Sequence, residues 1–102
     1  MKNTVIDPLK MELSLEKAYK LINAIANKNR MLILCHLCTG EKNVSEIEEE
    51  CGIYQPTLSQ QIGILRDEEL ITARRDGKKI YYSISNSVAL EVIQVLYKNY
   101  CK

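Results

Sequence analysis

The sequence predicts a single, mainly α-helical domain of five helices and one two-stranded β-hairpin. Apolar residues recur at intervals of three and four through most of the 102-residue chain, which is the spacing of helices that bury one face. Asp76-Gly77 separates two short runs of alternating β-branched and aromatic residues, which is typical of a hairpin turn. Gly52 lies between two helical segments within residues 44–67, which indicates a helix, a tight turn and a second helix.

The first two predicted helices follow a tail. Residues 1–14 are expected to form this N-terminal tail, and residues 15–102 are expected to form the folded domain. Ser14 is a suitable N-cap for a first helix, since the residues after it carry an amphipathic pattern. Residues 30–39 are apolar on most sides, which predicts a buried second helix that ends at Gly40.

The next two predicted helices flank the turn. Asn43 or Ser45 caps the third helix, whose outer face is rich in glutamate. Gly52 can adopt the positive φ that the turn needs, and Pro56 has the fixed φ that suits the first turn of the fourth helix. The inward stripe of the fourth helix consists of Leu58, Ile62 and Leu65.

The predicted hairpin and a last helix complete the chain. Residues 70–75 and 79–83 are its expected strands, and Asn86 or Ser87 caps a fifth helix that runs to about Tyr100. Two apolar stripes run along that helix. A helix with two such stripes is expected to contact both its own core and a partner subunit.

Composition and the N-terminus predict a cytoplasmic protein. The formal net charge is only +1, the first ten residues lack the apolar segment of a secretory signal, and residues 31–38 are too short an apolar run to cross a bilayer. We therefore expect no membrane association. Thiols stay reduced in the cytoplasm, so the four cysteines predict free thiols, redox sensing or metal binding before structural disulfides.

The sequence contains no recognisable set of catalytic residues. It has no paired carboxylates in a plausible pocket, no Ser/His/Asp set and no glycine-rich phosphate loop. Cys35 and His36 are neighbours in the chain, so on a helix their side chains diverge and cannot act as a nucleophile and its base. We expect neither enzymatic activity nor a cofactor.

The outer face of the fourth helix carries the short polar side chains that suit contact with DNA bases. The second helix of a helix-turn-helix enters the major groove, where amides and hydroxyls can bond base edges. The candidate recognition residues are Gln55, Thr57, Ser59, Gln60 and Gln61. A solvated polar face would look similar, but the hairpin that follows favours double-stranded DNA as the partner.

That hairpin is basic, as a wing that contacts phosphates needs to be. Its candidate DNA-binding residues are Arg74, Arg75, Lys78 and Lys79, with Asp76 as the one acid among them. Tyr81 and Tyr82 alternate across the second strand, so one is expected in the core and the other outside. The order of elements therefore predicts a winged helix-turn-helix.

These segments resemble the ArsR/SmtB family of winged-helix repressors, and within it the persulfide-sensing BigR/SqrR type. The resemblance rests on residues 52–66 (GIYQPTLSQQIGILR), the wing at residues 73–82, and residues 30–41 and 96–101, and it spans roughly residues 15–101. It implies a homodimer formed through the first and last helices. It also implies that binding to operator DNA blocks transcription.

The same resemblance assigns roles to two cysteines. Persulfide sensors of the family place one cysteine in the second helix and one at the end of the last helix, which match Cys35 and Cys101 here. This implies a protein that binds its operator when both thiols are reduced. The resemblance also implies that reactive sulfur species are the inducer, and that the protein is expected to release DNA when a disulfide or polysulfide bridges the two cysteines.

Other readings of the cysteines stay open at this point. The family's arsenic and zinc patterns are broken, because the third helix holds only Cys51 and the last helix holds no histidine, so no metal site is assigned. An arsenite or soft-metal sensor using Cys35, Cys38 and Cys101 is the alternative. A dimerising interaction module without DNA binding is a further one. Cys38 and Cys51 are expected to be small buried hydrophobic residues.

Overall fold

The computed structural model describes residues 5–101 and contains five helices and a small antiparallel sheet. The elements in chain order are α1 (Pro8–Ile25), α2 (Lys28–Leu37), β1 (Lys42–Asn43), α3 (Val44–Cys51), α4 (Thr57–Asp67), β2 (Ile71–Asp76), β3 (Lys79–Ile84) and α5 (Ser87–Tyr100). The strands lie in the order β1-β3-β2. The predicted fold class is confirmed, with α3 and α4 as the helix-turn-helix and β2 and β3 as the wing.

The sheet has one more strand than the sequence predicts. β1 is two residues long and pairs with β3, where Lys42 lies opposite Tyr82 and Asn43 lies opposite Tyr81. Two residues are too few to show an alternating pattern, so only the tertiary pairing reveals this strand. It joins the start of α3 directly to the wing.

The predicted start of the first helix is wrong. α1 begins at Pro8, and the carboxylate of Asp7 caps it by accepting a hydrogen bond of 3.0 Å from the backbone N–H of Leu9. Proline at the first helical position has the φ that a helix requires, so this pair starts the helix before Ser14 can. Residues 8–14 are exposed. The division into a tail of residues 1–14 and a domain of residues 15–102 stays a prediction, and residues 1–4 lie outside the described part.

The core lies where α2, α4 and α5 meet the inner face of the sheet. Large side chains with almost no exposure come from α2, α3, α4 and the loop before β2, and they are Ile33, Leu34, Ile47, Leu58, Leu65 and Leu70. Ile62 is also buried, so the inward stripe predicted for α4 is confirmed. Tyr82 is the tyrosine of β3 that packs in the core. Within residues 5–101 no helix is long and apolar enough to span a bilayer.

The turn between α3 and α4 forms as predicted. Asn43 caps α3, and Glu46 completes a capping box: each residue's side chain accepts a 2.9 Å hydrogen bond from the other's backbone N–H. Gly52 ends α3 with a φ of 68°, a conformation that glycine adopts without the steric cost of a side chain. The sequence thus fixes both ends of the first helix of the pair.

We expect Asn43→Ala to lower the free energy of unfolding by about 1–2 kcal/mol, because it removes the side-chain oxygen that accepts from the backbone N–H of Glu46, at a buried position. Ser45→Ala is the matched control, since this exposed neighbour could also have served as the cap and should change stability by less than about 0.5 kcal/mol. Urea unfolding followed by circular dichroism at fixed protein concentration measures both. Equal losses in the two variants would contradict the capping assignment.

Candidate nucleic-acid interface and thiol cleft

The exposed face of α4 presents two of the five predicted recognition residues without internal partners. Ser59 and Gln60 are exposed, and no hydrogen bond within residues 5–101 engages either side chain. Thr57, in the first turn of α4, is half-buried. Leu58, between Thr57 and Ser59, points into the core and fixes the rotation of the helix. The side chains of Ser59 and Gln60 therefore face away from the protein, and we call these two residues the polar row of α4.

Gln55, which precedes α4, is hydrogen-bonded to the first turn of that helix. Its side-chain carbonyl accepts a hydrogen bond of 3.0 Å from the backbone N–H of Ser59. This bond satisfies one of the free N–H groups at the start of α4, where the N-cap residue Pro56 supplies no side-chain cap. Gln55 thus helps to start the helix, and a contact between Gln55 and DNA stays a prediction.

Gln61 is directed toward α2 and the end of α1. Its side-chain oxygen accepts a hydrogen bond of 2.8 Å from Nη1 of Arg30. The same guanidinium donates to the backbone carbonyls of Asn23 and Ala24 at the end of α1. Gln61 therefore anchors the recognition helix to the α1–α2 corner. The sequence pattern did not single out Arg30, because Gln61 is 31 positions away in the chain and the other two partners are backbone carbonyls.

The wing carries less free positive charge than its composition suggests. Nε of Arg74 donates a hydrogen bond of 3.2 Å to Glu41, and its guanidinium lies 5.1 Å from the ring centre of Tyr81. The bond to Arg74 lowers the pKa of the Glu41 carboxyl, and the same bond raises the pKa of Arg74. Asp76 also lies 3.9 Å from Arg74. Arg74 is thus already partnered before any phosphate approaches.

The other three basic residues of the wing remain available. Arg75, Lys78 and Lys79 are exposed, and within the described chain none has a carboxylate oxygen within 4 Å. They lie at the end of the hairpin, on both sides of its turn. Sequence reasoning did not identify Glu41 as the partner of Arg74. The hydrogen-bonded pair of Glu41 and Arg74 joins the loop before β1 to β2, and two residues so far apart in the chain leave no local pattern in the sequence.

Cys35 is the common neighbour of the other three thiols. Burial raises the pKa of Cys35, and the nearby Cys101 thiol raises it further. Burial also raises the pKa of Cys38, and Cys35 raises it further. The pKa of Cys51 is raised first by burial, then by Glu50, and to a smaller extent by Cys35. Cys35 and Cys101 are exposed and reduced. The two cysteines that the resemblance pairs therefore lie close enough to interact electrostatically.

The expectation that Cys38 is a buried hydrophobic residue is wrong. Cys38 is exposed, and Cys51 is half-buried against the core. Cys38 is the C-cap residue of α2, one turn after Cys35, where the chain leaves the core. Its apolar neighbours in sequence made it look internal, but the helix ends before it can be covered.

A cleft of about 420 Å³ lies between α2 and α5 on the side of these thiols. We call it the α2–α5 cleft, and its lining residues are Cys35, Cys38, Thr39, Ile93, Gln94, Tyr97 and Lys98. Its walls are mainly apolar, and Thr39, Gln94 and Lys98 are the lining residues that carry hydroxyl, amide or amine groups on aliphatic side chains. The cleft is thus lined by two thiols, an apolar surface and one basic residue.

The three-thiol metal site is not supported. Among residues 5–101 no three side chains of His, Cys, Asp or Glu are placed to share a metal ion. The single histidine, His36, has its Nδ1 3.1 Å from Glu50, and Nζ of Lys42 lies 3.1 Å from the same carboxylate oxygen. These hydrogen bonds to Lys42 and His36 lower the pKa of Glu50. The cluster ties α2 and β1 to the end of α3.

A second groove separates α1 from α5. It measures about 500 Å³, and its lining residues are Ser14, Lys17, Ala18, Leu21, Ile22, Asn86, Val88 and Val92. Large apolar side chains at and around it are exposed, and they include Leu15, Tyr19, Ile22, Val88 and Val95. We call this surface the α1–α5 face. An apolar surface of this extent on a small domain is typical of an interface.

The sequence comparisons agree with this architecture. The model of bacterial regulatory proteins of the arsR family matches residues 27–73. The chain is 35% identical over 91 residues to the biofilm growth-associated repressor of Xylella fastidiosa, and the match covers 89% of this chain and 80% of that protein. It is 30% identical over 102 residues to the transcriptional activator HlyU of Vibrio cholerae, covering 100% of this chain and 94% of HlyU.

Solved structures show the same fold. The crystal structure of the repressor BigR from Xylella fastidiosa superposes with a TM-score of 0.88 at 33% identity, covering 95% of this chain and 99% of that one. A homodimeric winged helix-turn-helix DNA-binding domain from Mycobacterium bovis superposes with a TM-score of 0.74 at 28% identity, covering 92% and 86% of the two chains. BigR is a transcriptional repressor, and the M. bovis domain is described as a possible ArsR-family transcriptional regulator.

The contrast between Gln60 and Gln61 is testable by stability alone. Gln61→Ala should lower the free energy of unfolding by about 1–2 kcal/mol, because it leaves a donor of the half-buried Arg30 without its acceptor. Gln60→Ala should change stability by less than about 0.5 kcal/mol, since the side chain is exposed. Thermal unfolding of the three proteins at one concentration gives the comparison. A larger loss for Gln60→Ala would contradict the assignment of Gln61 as the anchor.

Proposed function

The chain belongs to the arsR family of bacterial regulatory proteins, and we propose that it is a cytoplasmic, homodimeric transcriptional repressor switched by sulfur chemistry at two cysteines. It binds operator DNA while its thiols are reduced and releases it when Cys35 and Cys101 are bridged. Its relatives are regulators, which supports a role that is not enzymatic. The observation that carries DNA binding is the free polar row of α4 beside the basic wing.

The positions of α4 and the wing support the proposed DNA contact. Ser59 and Gln60 have free side chains at the start of α4, where a recognition helix meets base edges. Arg75, Lys78 and Lys79 bind backbone phosphates beside the groove. Thr57, Gln55, Gln61 and Arg74 are the remaining proposed contacts. For Arg74, a phosphate has to replace Glu41 as the partner.

The stronger of the two sequence matches supports repression as the role of this chain, in preference to activation. The Xylella relative is a repressor and the Vibrio relative is an activator, and this chain is 35% identical to the first and 30% to the second. A chain that reads DNA with α4 and a wing blocks transcription simply by occupying the operator. No surface for recruiting other proteins is needed for that role.

The proposed dimer uses the α1–α5 face. The face exposes Tyr19 and Ile22 of α1 and Val88 and Val95 of α5, which a second copy would remove from water. The M. bovis relative with this fold is a homodimer. A two-fold axis through this face places one recognition helix on each side, as a repeated half-site requires.

The switch proceeds by sulfur transfer. The Cys35 thiolate attacks the outer sulfur of a persulfide R–S–SH, which forms Cys35–S–SH and expels R–S⁻ with the bonding electron pair. The Cys101 thiolate then attacks the Cys35 sulfur, which forms the disulfide and releases HS⁻. If Cys101 is also persulfidated, the Cys35 persulfide attacks the inner sulfur of Cys101–S–SH, and the products are a trisulfide bridge and HS⁻. Because burial raises the pKa of Cys35, the first attack accelerates as pH rises.

The bridge acts on DNA binding through α2. It joins α2, which holds α4 through Arg30 and Gln61, to the last turn of α5, which lies beside the proposed interface. A small rotation of α5 against α2 changes the distance between the two recognition helices of the dimer. Coupling of about 1–3 kcal/mol is enough for a 5- to 150-fold loss of affinity.

Gln60→Ala should weaken binding to the cognate operator by roughly five- to tenfold or more and leave binding to random duplex DNA almost unchanged, because an amide that reads a base adds nothing on other sequences. Lys79→Ala is the contrasting variant, which should weaken both and flatten the dependence of affinity on salt. Fluorescence anisotropy at several salt concentrations measures these effects. Equal losses on both duplexes for Gln60→Ala would move this residue to the phosphate contacts. Wild-type binding without salt dependence would refute the DNA interface.

Cys101→Ser should leave operator affinity in the reduced state within about twofold, because the residue is exposed at the end of α5. It should abolish release of DNA by a persulfide donor, since the thiol that closes the proposed bridge to Cys35 is gone. Cys51→Ser is the control and should respond like the wild type. Anisotropy and mass spectrometry of the intact protein follow release and bridging together. A Cys101→Ser protein that still releases DNA would show that Cys38 or Cys51 is the partner of Cys35.

A further inference from the structure

The α2–α5 cleft contains groups that the bridge between Cys35 and Cys101 does not use. We propose that this cleft is a binding site for the organic part of an anionic persulfide, and that Lys98 selects inducers that carry a carboxylate. The proposal rests on the proposed switch and defines which sulfur donors it prefers. In it, Ile93 and Tyr97 contact the carbon chain of the inducer, and its outer sulfur lies at Cys35.

The size and lining of the cleft fit such a molecule. A volume of about 420 Å³ lies within the usual range of small-molecule sites. The walls are mainly apolar, and the Gln94 amide and the Lys98 ammonium are the groups that can fix the orientation of a polar end. No carboxylate within the described residues lies within 4 Å of Lys98. Its charge is therefore available to a ligand.

Helix geometry places all of these groups on one side of α5. Gln94, Lys98 and Cys101 are four and three residues apart, so they share a face of the helix and turn toward α2. Val88 and Val92 lie on another face, in the groove against α1. The proposed dimer would cover the face of the valines. The cleft therefore stays open when the α1–α5 face is occupied.

The proposed role of Lys98 is to hold the donor and not to activate the thiols. An ammonium close to a thiol lowers its pKa, whereas the pKa values of Cys35 and Cys38 are raised, first by burial and then by neighbouring thiols. A basic residue that lines the cleft is suited to hold the far end of the sulfur donor.

The reaction balances within the cleft. The Cys35 thiolate forms a bond to the outer sulfur of ⁻OOC–R–S–SH, and the bond between the two donor sulfurs breaks. The electron pair leaves on ⁻OOC–R–S⁻, which takes up a proton from water after it departs. Neither oxidant nor reductant is consumed, because the sulfane sulfur only changes its carrier.

Two donors that differ in one group test the role of Lys98. The persulfides of 3-mercaptopropionate and of 3-mercaptopropionamide have the same length, but only the first has a carboxylate. The rate at which the reduced protein gains a Cys35 persulfide is measured by quenched alkylation and peptide mass spectrometry. We expect the carboxylate donor to react about threefold to fivefold faster with the wild type, as a single exposed ion pair allows.

Matched variants identify the cation responsible. Lys98→Gln should make the two rates equal, Lys98→Arg should preserve the preference, and Lys28→Gln, which removes an exposed lysine outside the cleft, should react like the wild type. Equal rates with both donors in the wild type would overturn the proposal. A preference that survives in Lys98→Gln would overturn it as well.

An inorganic donor separates this proposal from the switch itself. Hydrogen disulfide has no organic part, so Lys98→Gln should form the bridge between Cys35 and Cys101 at the wild-type rate. If hydrogen disulfide forms no bridge in the wild type, the proposed switch fails whatever the cleft binds. If the bridge forms and the wild type shows no preference for the carboxylate donor, only the proposal for the cleft fails.

Discussion

The guanidinium of Arg30 is the contact on which the placement of the helices depends. It donates to the carbonyls of Asn23 and Ala24 at the end of α1 and to the side chain of Gln61 in α4. The last carbonyls of a helix have no partners inside it, so these bonds satisfy groups that would otherwise be left unpaired. Arg30 itself lies in the first turn of α2. One side chain thereby fixes three helices around the core.

This arrangement makes α2 the link between the thiols and the DNA-facing helix. One side of α2 buries Ile33, Leu34 and Leu37, and the other carries Cys35 at the cleft. A close-packed core does not deform gradually, so a shift of α2 is passed to its neighbours as a rigid movement. A chemical change at Cys35 therefore reaches α4 through the packing and through the bond between Arg30 and Gln61.

Local patterns in the sequence account for most of the elements but not for the contacts between them. Caps, helical spacing and the Asp76-Gly77 turn are local signals, and they predicted the five helices, the wing and the positive φ of Gly52. The two-residue β1 has no periodicity, and the start of α1 was decided by Asp7 and Pro8 in a stretch with no buried face.

The candidate site shows the same limit more clearly. The order of predicted elements identified the polar residues of α4 and the basic residues of the wing as candidates. It could not show that Gln61 binds Arg30 or that Arg74 binds Glu41. These partners are separated by about thirty positions and meet only in the folded chain. The pairing of Cys35 with Cys101 came from a family resemblance, since no spacing rule links such distant residues.

The raised pKa of Cys35 sets the pace of the proposed chemistry. Burial raises the pKa of this thiol, and the nearby Cys101 thiol raises it further, so the thiolate that attacks the donor is a small fraction at neutral pH and grows as pH increases. Transfer of a sulfur then converts Cys35 from the nucleophile into the sulfur that is attacked. The same proximity that disfavours the Cys35 thiolate places Cys101 beside the new persulfide, so a single encounter with a sulfur donor proceeds to a bridged state.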